Sequence, residues 1–250
     1  MPSKSISVKL TSMVEKDENA DKIMQRHTPE IMFGLNKNWM LHLATTFSDI
    51  HQPALQWESV RTYAKWRFYS NDDVHKHLRL AVFGLGTYSR NNLDFNEVNL
   101  MGDQSGLQGG LIVTQLWNKL AISATGSWNE VLNTNRKSKV YQQFYAFQAF
   151  NYSLSAGYLL LPFNYKNYNQ TNVNFYVELL GSKNVNFTLE RYYMDLAPSV
   201  QLIFKSTSKL NIGYRFQVKG DIYRFGTNSF MIGYEYIFLN GMKGKKKDIN

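Results

Sequence analysis

The two last apolar stretches of the chain restrict its fold more than any other feature. Residues 211–219 read N-I-G-Y-R-F-Q-V-K. Ile212, Tyr214, Phe216 and Val218 fall on one side, and Asn211, Gly213, Arg215, Gln217 and Lys219 on the other. Residues 229–238 repeat the arrangement, with Phe230, Ile232, Tyr234, Tyr236 and Phe238 alternating with Ser229, Met231, Gly233 and Glu235. Successive side chains of a strand point to opposite faces, so a strict period of two marks a strand with different surroundings on its two sides. Here one side is large and apolar and the other carries charge. A wall between lipid and water needs that contrast.

Composition is compatible with such a wall. The chain of 250 residues is long enough for one barrel or sandwich. Its mean hydropathy of −0.38 resembles that of a soluble chain. A membrane barrel reads the same way, because half of each strand faces water. Phe, Tyr and Trp make up 15% of the residues, enough for aromatic girdles at two interfaces. An aromatic-rich soluble sandwich is the competing reading. The absence of cysteine excludes disulfides, zinc–thiolate sites and thiol nucleophiles. No apolar run of about 18 residues is present, so no transmembrane helix is expected. The start Met1-Pro2-Ser3-Lys4 lacks an apolar signal core. A mature or truncated chain is therefore expected if the protein is exported.

The same alternation divides the chain into twelve strand segments: 5–11, 30–35, 39–48, 57–69, 78–89, 106–117, 120–130, 149–161, 171–182, 194–205, 211–219 and 229–238. Segments 78–89 and 106–117 alternate poorly. Connections after odd segments tend to be long (14–27, 49–56, 90–105, 131–148, 183–193). Those after even segments tend to be short (36–38, 70–77, 118–119, 163–170, 206–208). The expected class is all-β: a closed antiparallel transmembrane β-barrel of about 12 strands, with 10 or 14 as alternatives. Residues 1–240 form the barrel, and residues 241–250 a basic disordered tail.

Gly233-x-x-Tyr236-x-Phe238 resembles the terminal-strand signal of bacterial outer-membrane β-barrel proteins. The resemblance implies a place in the outer membrane of a Gram-negative-type bacterium, with the lipid bilayer as surroundings. It also implies recognition by the barrel-assembly machinery through Gly233, Tyr236 and Phe238. Phe238 departs from the pattern in not being the terminal residue.

A charge on the lipid face costs ~2–4 kcal/mol near the midplane. The lumen is therefore expected to receive Lys9, Glu30, His42, Arg61, Lys65, Arg67, Arg79, Glu178, Lys205, Arg215, Lys219 and Glu235. Basic residues outnumber acidic ones in this set, and the whole chain carries a net charge of +9. A channel for small anionic or polar solutes follows, since basic rings favour anions. The alternative is a plugged structural or assembly-partner barrel, its cations paired with Glu30, Glu178 and Glu235. Such a barrel would bind an envelope protein partner through loops 90–105 and 131–148.

Other constellations point to less. Asp72, Asp73, His75 and His77 share one connection, which is read as solvated rather than as a metal site. Gly84-Leu85-Gly86 lacks the third glycine and following helix of a phosphate loop and is expected to relieve crowding or permit curvature. His42 and Ser48 share a face but lie about 20 Å apart at ~3.3 Å per residue. His51 and Asp49 carry no nucleophile motif. No enzymatic role, cofactor or metal is expected. In segments 57–69, 211–219 and 229–238 the aromatics and the cations are read on opposite faces, so no nucleic-acid partner is expected either.

Overall fold

The computed structural model describes residues 1–16, 22–92, 96–163, 169–185, 187, 189 and 191–242. Residues 243–250, most of the expected tail, lie outside them. Twelve strands follow one another: β1 (Ser5–Lys16), β2 (Ile23–Gly34), β3 (Trp39–Ser48), β4 (Gln56–Asp72), β5 (Lys76–Ser89), β6 (Gly106–Trp117), β7 (Leu120–Val131), β8 (Gln148–Leu161), β9 (Asn172–Asn184), β10 (Tyr192–Phe204), β11 (Ser208–Gly220) and β12 (Asn228–Phe238). Each pairs antiparallel with its neighbour in sequence, and β12 pairs with β1 to close the barrel. Ile6 sits across from Phe238 and Val14 across from Phe230, so the first and last strands meet over their whole length. Closure leaves no unpaired strand edge, the condition for crossing a bilayer with strands. Among the described residues, no helix is long and apolar enough to cross a membrane.

The alternation resolves into two surfaces. Leu10, Leu43, Leu111, Leu154, Ile212 and Ile232 are exposed on the outside of the wall. Aromatic side chains flank this apolar zone at both ends of the strands. Toward the short turns, Trp39 stacks on Trp66 with ring centroids 5.8 Å apart, and Tyr236 meets Phe238 edge-on at 4.8 Å. Toward the long connections stand Trp57, Tyr88, Trp128, Phe150 and Phe230, all exposed. This is the layout of an apolar band between two interfacial girdles.

The strands run farther than the alternation indicates. β1 continues to Lys16 and β2 begins at Ile23, so much of the expected loop 14–27 is paired strand. The outward row of β2 passes through Gln25, His27 and Pro29, which breaks the apolar signal. Pro29 has no N–H to give to a ladder. The β2–β3 ladder accordingly skips from His27–Phe47 to Glu30–Ala44. His27 Nδ1 lies 2.9 Å from Ser12 Oγ, so the polar atoms this row brings to the outer wall satisfy each other. The expected loop 131–148 contains a 3-10 turn, Thr134–Lys137, and a short helix, α1 (Lys139–Phe144).

Gly84 does not relieve crowding: a Cβ there would meet nothing within 4 Å. Gly84, Gly86, Gly109 and Ala64 instead hollow the outer wall between Leu41 and Trp128, leaving a groove of about 650 Å³. Gly110, on the inner face of β6, is crowded instead. A Cβ there would lie 2.6 Å from the Phe83 ring, from Ser127 Cβ and from the Gly126 carbonyl oxygen.

Candidate functional site: the lumen and its covered mouth

β4 supplies the main inward charge. Ser59, Arg61, Tyr63, Lys65 and Arg67 form its inner row, while Val60, Thr62, Ala64, Trp66 and Phe68 face out. Across the ladders, Arg61 stands opposite Ala44 and Thr87, Tyr63 opposite His42 and Leu85, and Lys65 opposite Met40 and Phe83. Among the described residues, none of Arg61, Lys65 and Arg67 makes a salt bridge. Arg61 Nη1 lies 2.7 Å from the Met101 sulfur, and Arg67 donates to the Lys37 carbonyl oxygen.

The expected acidic partners are engaged elsewhere. Glu30 Oε1 is 2.7 Å from His42 Nδ1. Glu235 accepts from Ser7 Oγ at 2.8 Å and from Lys209 Nζ at 3.2 Å. Among the described residues, the β4 basic row therefore has no carboxylate paired to it inside the barrel. The far wall, on β7 to β9, carries Ser123, Thr125, Ser153, Ser155 and Asn174 in its inner rows and Glu178 as its charge.

Some expected lumen residues are placed differently. Lys205 lies in the turn between β10 and β11, at φ 48°, and not in a strand. A register shift after Met194 sets Lys219 opposite that outward residue, out of the row of Arg215 and Gln217, and Lys219 is exposed. Arg79 is exposed near the short-turn end, 3.2 Å from Asp72. The same carboxylate is 2.9 Å from His77 Nδ1, and the cluster is exposed, as expected of a solvated connection. His42 binds Glu30 rather than Ser48. Ser48 Oγ accepts from the Ile50 backbone at 3.2 Å.

The alternation gives no sign of how the mouth at the long-connection end is covered. Residues 96–105 turn inward. Thr87 Oγ1 donates to Leu100 O at 2.9 Å, Ser89 Oγ to Gly102 O at 2.7 Å, and Thr46 Oγ1 to Met101 O at 3.3 Å. Asp103 anchors the loop across the barrel. Its carboxylate pairs with Arg26 of β2, accepts from Asn99 Nδ2 at 2.6 Å, and lies 2.9 Å from His51 Nε2. Burial works against this charge. The Arg26 guanidinium and the His51 hydrogen bond outweigh burial and hold the carboxyl below its ordinary range. Gly102 fits here because a Cβ would come within 3.1 Å of both Glu58 Oε2 and Thr46 Cγ2.

A second anchor holds loop 221–227. Asp195, fully buried on the inner face of β10, receives Arg224 Nη1 at 2.7 Å and Nη2 at 2.6 Å, and Arg215 Nε at 2.6 Å. Arg224 also donates to Gln217 Oε1 at 2.7 Å and rests 4.2 Å above the Tyr193 ring. The His51 and Phe225 rings meet edge-on at 4.9 Å, joining the two anchors. Beside them Val98, Val131, Ala146, Phe147, Ala149 and Phe187 form a buried apolar cluster drawn from three loops and two strand ends. Arg26, Glu58, Asp103, Asp195 and Arg224 carry no sequence signal beyond being charged, because their partners are far away in the chain.

No family model matches the chain, and no curated protein matches it. Solved structures do. The COG4313 outer membrane channel from Pseudomonas putida F1 is 10% identical, with 95% of this chain and 97% of that one covered and a TM-score of 0.63. The KdgM porin is 8% identical, with 93% and 99% covered and a TM-score of 0.53. The beta domain of the Bordetella autotransporter BrkA is 15% identical, with 94% and 99% covered and a TM-score of 0.53. At such identities the likeness concerns the fold: this chain has the closed antiparallel barrel of the outer-membrane β-barrel proteins.

Proposed function

We propose that this protein is an outer-membrane channel, porin-like in character, that passes small solutes and favours anionic or polar ones. The observation that carries the reading is the row Arg61, Lys65 and Arg67, which lies inside a closed barrel with no carboxylate paired to it among the described residues. Uncancelled cations on one wall of a narrow aqueous path raise the local concentration of anions and lower their barrier to passage. The likeness to the COG4313 channel and the KdgM porin supports the class. The KdgM porin has also been solved in complex with disordered oligogalacturonate, which suits an acidic solute. Gly233, Tyr236 and Phe238 on β12 serve as the strand signal for the assembly machinery of a Gram-negative-type outer membrane. Tyr236 and Phe238 stand exposed on the outer wall, where such a contact is reached.

Planar-bilayer recording tests the reading. A reversal potential displaced toward anions in a salt gradient is expected. Replacement of Arg61, Lys65 and Arg67 together by Glu should displace it toward cations. An unchanged sign in that variant overturns the lumen assignment. The inward-folded loops support a second reading, a covered barrel that partners an envelope protein. A folded, reconstituted chain that carries no current favours that one.

A further inference from the structure

The inner wall of β3 to β5 combines rings and cations on a single face. The His42 and Tyr63 rings lie 4.8 Å apart, and the Tyr63 and Phe83 rings 5.4 Å apart with their planes tilted by 30°. Phe83 can lie against the wall because Gly110, its partner on β6, has no side chain in the way. Leu85 stands opposite Tyr63 and extends the apolar surface. Arg61 and Lys65 flank Tyr63 on the same inner row, each about 7 Å along the strand from it. The opposition of aromatic and cationic rows read from the sequence therefore fails at Tyr63, which shares the cationic face.

Arg61 also has unused bonding capacity. Its contact through Nη1 is to the sulfur of Met101, a weak acceptor, at 2.7 Å. A guanidinium carries five donors in a planar fork suited to a carboxylate. Met101 is itself largely exposed, at the inner end of the folded loop. A flexible thioether held over a cation is an adaptable apolar contact, and one that a better acceptor displaces.

We infer that this wall is a binding site for aromatic carboxylates, whose ring stacks on Tyr63 and Phe83 while the carboxylate takes the place of the Met101 sulfur on Arg61, with Lys65 alongside. The inference rests on the channel reading above and gives that channel a substrate class. The largely uncharged polar far wall offers water a path past the bound ring without competing for the anion. Aliphatic carboxylates gain the cation without the stacking. Sugar acids bring hydroxyl groups that the Phe83–Leu85 surface does not satisfy.

The test compares block of the open-channel current by benzoate, acetate and glucuronate at matched concentrations. Benzoate is expected to block at concentrations at least tenfold lower than the other two. The Tyr63→Ser, Phe83→Ser double variant should abolish that difference. Tyr176→Ser, on the far wall, should keep it. Equal block by all three acids overturns the inference while leaving the channel intact, and so does stronger block by glucuronate. If the barrel carries no current, the channel reading fails on its own, and equilibrium dialysis of radiolabelled benzoate against the folded, detergent-solubilised chain decides the site. Saturable binding that is lost in the double variant supports it, and no saturable binding overturns it.

Discussion

At the scale of single residues, the most constrained group is Asp195. It is fully buried and takes hydrogen bonds from two guanidiniums, those of Arg215 and Arg224. Asp195→Ala would leave two guanidiniums facing each other without the carboxylate they share. Breaking one partner of a buried ionic cluster costs ~3–5 kcal/mol, because the remaining charge stays buried and uncompensated. Part of that cost can be escaped here, since Arg224 sits on a loop and can swing out to water. The variant should therefore unfold at lower urea concentration and also expose loop 221–227 to protease. Arg224→Ala removes one cation and leaves Asp195 with Arg215, so its loss of stability should be smaller. Urea titration followed by intrinsic tryptophan fluorescence checks the order. Equal stability of Asp195→Ala and the parent chain would show that Asp195 anchors nothing.

At the scale of elements, the folded segment 96–105 is held by charge, so its position depends on pH. Asp103 is in contact with Arg26 from β2, His51 from the loop after β3 and Asn99 from its own loop, and Glu58 of β4 pairs with the same Arg26 at 3.5 Å. Its carboxyl is held below the ordinary aspartate value of about 3.9. A depressed folded-state value means that the stabilisation is fully present above about pH 4 and is lost as pH falls through the lower, folded value. Channel noise and mean conductance should thus stay level from neutral pH down to about pH 4 and rise below it. Asp103→Asn should show the acid behaviour at neutral pH. Recording both proteins across that range is the check, and an identical pH profile for the two would detach the loop from Asp103. The elements also differ in how far the sequence reveals them. The bounds of β3 agree with its alternation, and those of β6, which alternates poorly, with its flanking turns, Asn118 at φ 48° included. β2 reads short because Gln25, His27 and Pro29 occupy outward positions that normally carry apolar groups. Lys219 reads onto the wrong face because one register shift inverts every later position of a strand, and local pattern does not reveal a shift. The loop anchors are illegible for a different reason. Arg26 and Asp103 are 77 residues apart in sequence, and no period connects a strand residue to a loop that folds back upon it.

At the scale of the whole molecule, a chain with net charge +9 sets a row of cations with no paired carboxylate among the described residues on one side of its lumen and spends its buried acids on the mouth. Asp103 and Asp195 each neutralise guanidiniums that hold loops in place, whereas Arg61, Lys65 and Arg67 remain available along the path. The division predicts how selectivity responds to salt. Half-buried cations facing an aqueous lumen act on passing ions through a field that salt screens over ~10 Å at 0.1 M and ~3 Å at 1 M. A solute in the centre of the barrel is several ångströms from the β4 wall, so it lies within the field at the lower salt and near its edge at the higher. Anion preference, read as the reversal potential at a fixed concentration ratio, should be clear around 0.1 M and weaken toward 1 M. The ion pairs at Asp195 are buried and much less screened, so the covering of the mouth, read as the protease resistance of loop 221–227, should persist over the same range. A preference independent of salt would place selectivity in size or in direct coordination at a dehydrated constriction, and would move it from the β4 row to the loop residues that narrow the mouth.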